Sequence, residues 1–193
     1  MSLAIKKLFP NFYKITKNIS NRIPIKSLLW NNKSYRFNFR IYKMLKLWRQ
    51  GILKEEADFV YKYYEGGDLI DVGSWSGFYS FLLSPKANEE DNFVSCEPDH
   101  RIHSEIFENL SILKQKFKKI NYSLVSLPIS NGKDVVIFHD KWGHPCFLDY
   151  DQIKDSNIKY KKKYSSVSID SIVSSLSLKP SFIKIETEGA EFD

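Results

Sequence analysis

The sequence is poor in cysteine and in long apolar runs, and its first 54 residues lack acids altogether. Its 193 residues hold two cysteines, Cys96 and Cys146. Two thiols exclude a disulfide scaffold, and without a CxxC pair or a Cys/His cluster there is no zinc-site pattern. Both cysteines are expected to be reduced, which points to a cytoplasmic protein. No stretch reaches the roughly 18–20 continuous apolar residues of a membrane span. The opening residues Met1 to Leu8 lack the unbroken apolar segment of a secretory signal, so none is expected. Internal repeats and long low-complexity tracts are absent too.

The formal net charge of +6 conceals an asymmetry. Residues 1–54 contain thirteen Lys or Arg and no Asp or Glu, leaving sixteen basic and twenty-three acidic residues to the remainder, a net charge of −7 there. Such a split implies two parts with different tasks, an arm over 1–54 and a domain over 55–193. The arm interleaves aromatics with its basic residues, among them Trp30, Tyr35, Phe37 and Trp48. Ile41, Met44, Leu45, Trp48 and Ile52 recur at helical spacing, so the arm is expected to be helical there. A further helix is predicted from about Lys54 to Tyr64.

From Asp68 onward strands and helices alternate. Leu69–Val72 is a short apolar run, Gly77–Leu83 a helix stopped near Pro85, and Asn92–Cys96 a second strand. Ile102, Ile106, Leu110, Leu113 and Phe117 mark an amphipathic helix, and Tyr122–Val125 a third strand. This β-α-β-α-β order predicts an α/β fold with a mostly parallel sheet. Over 126–167 the pattern changes. Val135–Phe138 reads as a strand, Gly143-His144-Pro145 as a loop and Lys161-Lys162-Lys163 as a solvated charge run. Ser168–Val173 reads as a capped short helix, and Phe182–Ile185 as a strand ending at Glu186.

Two strand ends carry the chemistry. Asp71-Val72-Gly73-Ser74-Trp75-Ser76-Gly77 places an acid at the end of a strand and a GxxxG turn before a helix. Glycines there let backbone amides approach a ligand. A strand-end acid repels pyrophosphate but pairs with an ammonium group, which suits the methionine end of S-adenosylmethionine better than a dinucleotide, and the spacing departs from GxGxxG. Glu97 closes the second strand 26 positions after Asp71, where a carboxylate can accept hydrogen bonds from ribose hydroxyls. Asp71, Gly73, Ser74, Trp75, Gly77 and Glu97 are therefore the expected cofactor-binding residues. The alternative is a tight turn with a chance acid beside a solvated strand-end glutamate.

These residues extend into a longer resemblance, over roughly 55–193, to the FkbM family of methyltransferases. Asp71–Ser80 looks like that family's DVGANxGYYT. Glu97-Pro98-Asp99, followed by Phe107-Glu108-Asn109-Leu110, is similar to its EPNP…ENL. Leu127–Gly132 resembles ALSD-x-G, Ser168–Val173 resembles TLDDLL, and Ile183–Glu191 closely resembles IKIDVEGAE. Trp75 stands where the family usually has Asn, and Glu186 where it has Asp. The resemblance implies a Rossmann-like methyltransferase sheet, S-adenosylmethionine as cofactor, and O-methylation of a hydroxyl on a sugar, glycan or secondary metabolite. The sequence stops just after the last motif, so the domain is expected to be incomplete at its C-terminus, without the last strands of that fold.

Methyl transfer to a hydroxyl calls for alignment of the acceptor and benefits from a base. Glu186 at a strand end, Glu188 and His144 are the candidates. For Glu188 capping of the following turn competes with this role, and for His144 a plain loop position does.

The arm has three readings: a packing extension, adhesion to an anionic membrane surface, and nucleic-acid binding. The last makes an RNA ribose 2′-O-methyltransferase the rival enzyme. A non-catalytic remnant serving as a binding module is the rival of another class. With no fifth strand to cover it, the edge of Phe182–Ile185 is expected to self-associate, to be covered by the arm 1–54, or to leave the chain poorly soluble.

Overall fold

In a computed structural model, residues 25–30, 33–37, 51–139, 145–149 and 161–187 are described. The chain divides into two compact units, Met1–Val60 and Tyr61–Asp193. No described helix is long and apolar enough to cross a membrane.

The described part of the basic arm is an antiparallel hairpin of β1 (Ile25–Trp30) and β2 (Lys33–Phe37), pairing Leu28 with Tyr35 and Trp30 with Lys33. Helical periodicity gave no sign of it. Branched and aromatic residues on either side of Asn31-Asn32 are the signal that was available. The helical stripe expected over Ile41–Trp48 lies outside the described residues, as do the arm's side chains that would meet a membrane or nucleic acid. Ile52 opens α1 (Ile52–Tyr63), whose first turn carries Glu55 and whose last turn carries Lys62, both suited to the helix dipole.

The second unit is built on a four-stranded parallel sheet in the order β5-β4-β3-β9. These strands are β3 (Asp68–Val72), β4 (Asn92–Cys96), β5 (Asn121–Val125) and β9 (Pro180–Ile185). Between the first three run α2 (Phe78–Leu83), a 3-10 turn over Ser84–Lys86, and α3 (His103–Lys116). Every residue of β3 is buried and β4 is nearly so, which is why both read as short apolar runs.

Alternation sorts their side chains onto two faces. Ile70, Val72, Val94 and Cys96 form one core with Ile172 and Leu178. On the other face Tyr64 meets Phe93 and Phe182 edge-on, and Ser80 meets Ser95 through their hydroxyls at 3.2 Å. Truncating Ile70, which is fully buried, to Ala would cost about 2–5 kcal/mol.

Between β5 and β9 the chain forms a second sheet, antiparallel and in the order β7-β6-β8: β6 (Asp134–His139), β7 (Pro145–Asp149) and β8 (Lys161–Ser165). One sequence expectation is corrected here, the loop at Pro145. Pro145 is the first residue of an edge strand, a place where a missing N–H costs nothing. Lys161-Lys162-Lys163 lies in the other edge strand, where lysines deter further strand pairing. Helix α4 (Ile169–Leu176) is capped as expected, with Ser168 Oγ accepting from the Ser171 amide at 3.2 Å. Strand β9 follows it and pairs with β3 alone among the described residues. Ile183 and Ile185 on this edge strand stay nearly half exposed.

Candidate functional site

The carboxyl ends of β3 and β4 lie side by side, because Asp71 is in register with Ser95 and Val72 with Cys96. The chain leaving β3 folds at once onto β4: the amides of Gly73 and Ser74 both donate to the Cys96 carbonyl at 3.0 Å. Gly77, at φ +78, then opens α2, and its amide donates to Ser74 O at 2.8 Å. Asn109 of α3, itself fully buried, donates to Ser76 O at 2.7 Å. The Asn of the Phe107–Leu110 motif thus props the turn.

Gly73 has φ +71, and a Cβ there would overlap the carbonyl oxygen of Glu186. The sequence assigns this glycine to close approach of a ligand. The structure supplies a nearer cause, the convergence of the β3 and β9 ends.

Trp75 sits in the left-handed region at φ +47. Asn tolerates that conformation, and a bulky aromatic pays about 1–2 kcal/mol for it. The Trp75 amide donates to Glu97 Oε2 at 3.0 Å, and the Asp99 amide to Glu97 Oε1 at 2.8 Å. One buried carboxylate therefore ties the two strand-end loops together. Burial outweighs those two hydrogen bonds and, with Asp99 and Asp71 adding, pushes Glu97 up to about 7. Asp99 in turn takes a fork from Arg101, with Nε at 2.8 and 2.9 Å and Nη2 at 2.5 Å. His103 Nε2 lies 2.7 Å from the Glu97 carbonyl, a contact that no sequence pattern announced. Burial pushes the free Cys96 thiol up to about 12, with Asp71 and Glu97 contributing, so it stays protonated at neutral pH.

Asp71 is completely buried, and its Oδ1 lies 3.4 Å from Lys184 Nζ. The same Nζ is 3.2 Å from Glu186 Oε2. The sequence does not single out Lys184, because Phe182–Ile185 reads as a plain apolar strand. A lysine inside such an apolar run is the signal the sequence offers; its register with Asp71 comes from the fold. The six cofactor-binding candidates are brought together around this turn. Of the three base candidates, Glu186 is exposed at the end of β9, whereas Glu188 and His144 lie outside the described residues. Ser74 and Ser76 are buried, and their hydroxyls have no hydrogen-bond partner among the described residues. Among the described residues no group of three His, Cys, Asp or Glu is placed to hold a metal ion.

No protein-family model, curated protein or solved structure matches the chain.

Proposed function

We propose that the chain is an S-adenosylmethionine-dependent methyltransferase acting on a hydroxyl of a sugar, glycan or secondary metabolite. One observation carries this: the Glu97 carboxylate meets the Trp75 amide of the Gly73–Gly77 turn across adjacent parallel strands. Ligands of open parallel sheets bind outside those carboxyl ends.

The residues present suit such a cofactor in two respects. Each Glu97 oxygen accepts one backbone amide, which leaves acceptor capacity for the two ribose hydroxyls. The buried hydroxyls of Ser74 and Ser76 lack partners among the described residues, and a polar ligand would relieve that cost. Asp71 fits less directly, because Lys184 already stands beside it. When bound, S-adenosylmethionine supplies an electrophilic methyl group. The chain's own part is to hold the acceptor in line and exclude water. We assign the acceptor's proton to Glu186, which is exposed at the end of β9.

Calorimetric titration of the full chain with S-adenosylmethionine, S-adenosylhomocysteine and NAD tests this. The first two should bind and NAD should not, and Glu97→Ala should weaken binding by about 1.5–3 kcal/mol. NAD binding, or an unchanged affinity in the variant, overturns the assignment.

The thirteen basic residues of 1–54, unrelieved by any acid, favour as second reading a polyanionic acceptor, with methyl transfer to an RNA ribose 2′-hydroxyl. Transfer to RNA that falls steeply with salt would select it over glycan acceptors.

A further inference from the structure

Lys184 is the one lysine among the described residues that is both buried and in ion pairs. Parallel register sets it beside Asp71 on the same face of the sheet. Its Nζ lies among four oxygens: the Gly73 carbonyl at 3.0 Å, the Val72 carbonyl at 3.4 Å, Asp71 Oδ1 at 3.4 Å and Glu186 Oε2 at 3.2 Å. The ring of Tyr79 closes the remaining side, 5.2 Å from Nζ to its centroid. Burial alone would lower this lysine's pKa, but Asp71 and Glu186 outweigh it and the net shift is upward, so the ammonium stays charged.

Its targets lie along the start of the turn. Val72 O and Gly73 O are successive main-chain acceptors, and Trp75, two residues on, is held from the other side by Glu97. The backbone between them includes Gly73 and Trp75, both in the left-handed region. A bulky residue persists there only where its surroundings over-determine the conformation.

We propose that Lys184 is a positioning residue: from β9 its ammonium clamps the Gly73 carbonyl and the Asp71 carboxylate, and so fixes the Gly73–Gly77 turn opposite the Glu97 clamp. The consequence for S-adenosylmethionine affinity rests on the function proposed above. The consequence for the turn itself does not. A merely structural counterion would neutralise Asp71 and leave the turn to Glu97.

The test uses the full chain with Lys184→Met and the double variant Asp71→Asn/Lys184→Met, which removes both buried charges. Hydrogen exchange is followed at the Trp75 and Gly77 amides and, as internal reference, in α3, alongside thermal melting and calorimetric titration with S-adenosylmethionine. In the double variant the melting temperature should recover towards that of the parent chain. The Trp75 amide should nevertheless exchange about tenfold faster than in the parent, relative to α3, because the Gly73 carbonyl has lost its donor. Cofactor affinity should fall by a similar factor. If the double variant restores both stability and turn protection, Lys184 is only a counterion and the proposal fails. Should Lys184→Met alone not fold, the double variant decides. If the parent chain binds no S-adenosylmethionine, the cofactor assignment falls while exchange at Trp75 still decides the role of Lys184.

Discussion

Asp71 and Glu97 close neighbouring parallel strands and are both buried, yet their surroundings answer the two carboxylates differently. Asp71 has a cation in register on β9, with Lys184 Nζ 3.4 Å away. Glu97 is met by two main-chain amides, those of Trp75 and Asp99. At Glu97 burial outweighs the two amide hydrogen bonds. Glu97 accordingly titrates near neutrality. Equivalent strand-end acids thus serve different ends: Asp71 locks β3 to β9, and Glu97 joins two loops.

The largest expected effect comes from breaking the charged pair. Asp71→Ala leaves the Lys184 ammonium buried without its innermost carboxylate and should cost about 3–5 kcal/mol in urea unfolding. A loss below about 1 kcal/mol would mean that Glu186 alone satisfies Lys184. Next is Gly73→Val. Its Cβ would overlap the Glu186 carbonyl, at a φ that a branched residue does not adopt, so a loss of about 3 kcal/mol is expected. A melting temperature within a few degrees of the parent would show that the end of β9 yields.

Glu97 gives stability a pH dependence of its own. Folded Glu97 holds its proton to about pH 7, whereas its ordinary value is 4.5. Between those values the folded chain binds more protons than the unfolded one, so stability falls as pH rises from about 4.5 to about 7 and is level above. The amplitude should be on the order of 3 kcal/mol. Subtracting the profile of Glu97→Gln isolates it, and a flat difference across that window refutes the assignment. Asp68 has the opposite sign. Burial would raise its pKa, but hydrogen bonds from Lys179 and Asn92 prevail and lower it, so its contribution is lost only in acid.

The smallest effect on stability is expected at the exposed member of the group. Glu186→Gln should change stability by less than about 0.5 kcal/mol. With a hydroxyl acceptor in hand, its methyl-transfer rate should drop about 100-fold or more. Full activity would pass the role of base to another group.

By itself the sequence determined the elements of the parallel sheet. Leu69–Val72 and Asn92–Cys96 are legible because two-sided burial demands apolar runs, and Ser168 announces α4 because an N-cap is a local hydrogen bond. It also determined the strand-end positions of Asp71 and Glu97 and the GxxxG turn between β3 and α2. It did not disclose β7, β8 or the hairpin Ile25–Phe37, whose strands are short and acquire their identity from the partner they pair with. Lys161–Lys163 counts as a charge run until β6 lies beside it. Only the tertiary structure decided what surrounds each acid. The register of β9 on β3 set Lys184 against Asp71 across more than a hundred residues of chain, and the fold of the Trp75 turn delivered its amide to Glu97. Burial, countercharge and the nearness of the Glu186 carbonyl to Gly73 are non-local quantities, fixed by which strands become neighbours and invisible in the order of residues along any one of them.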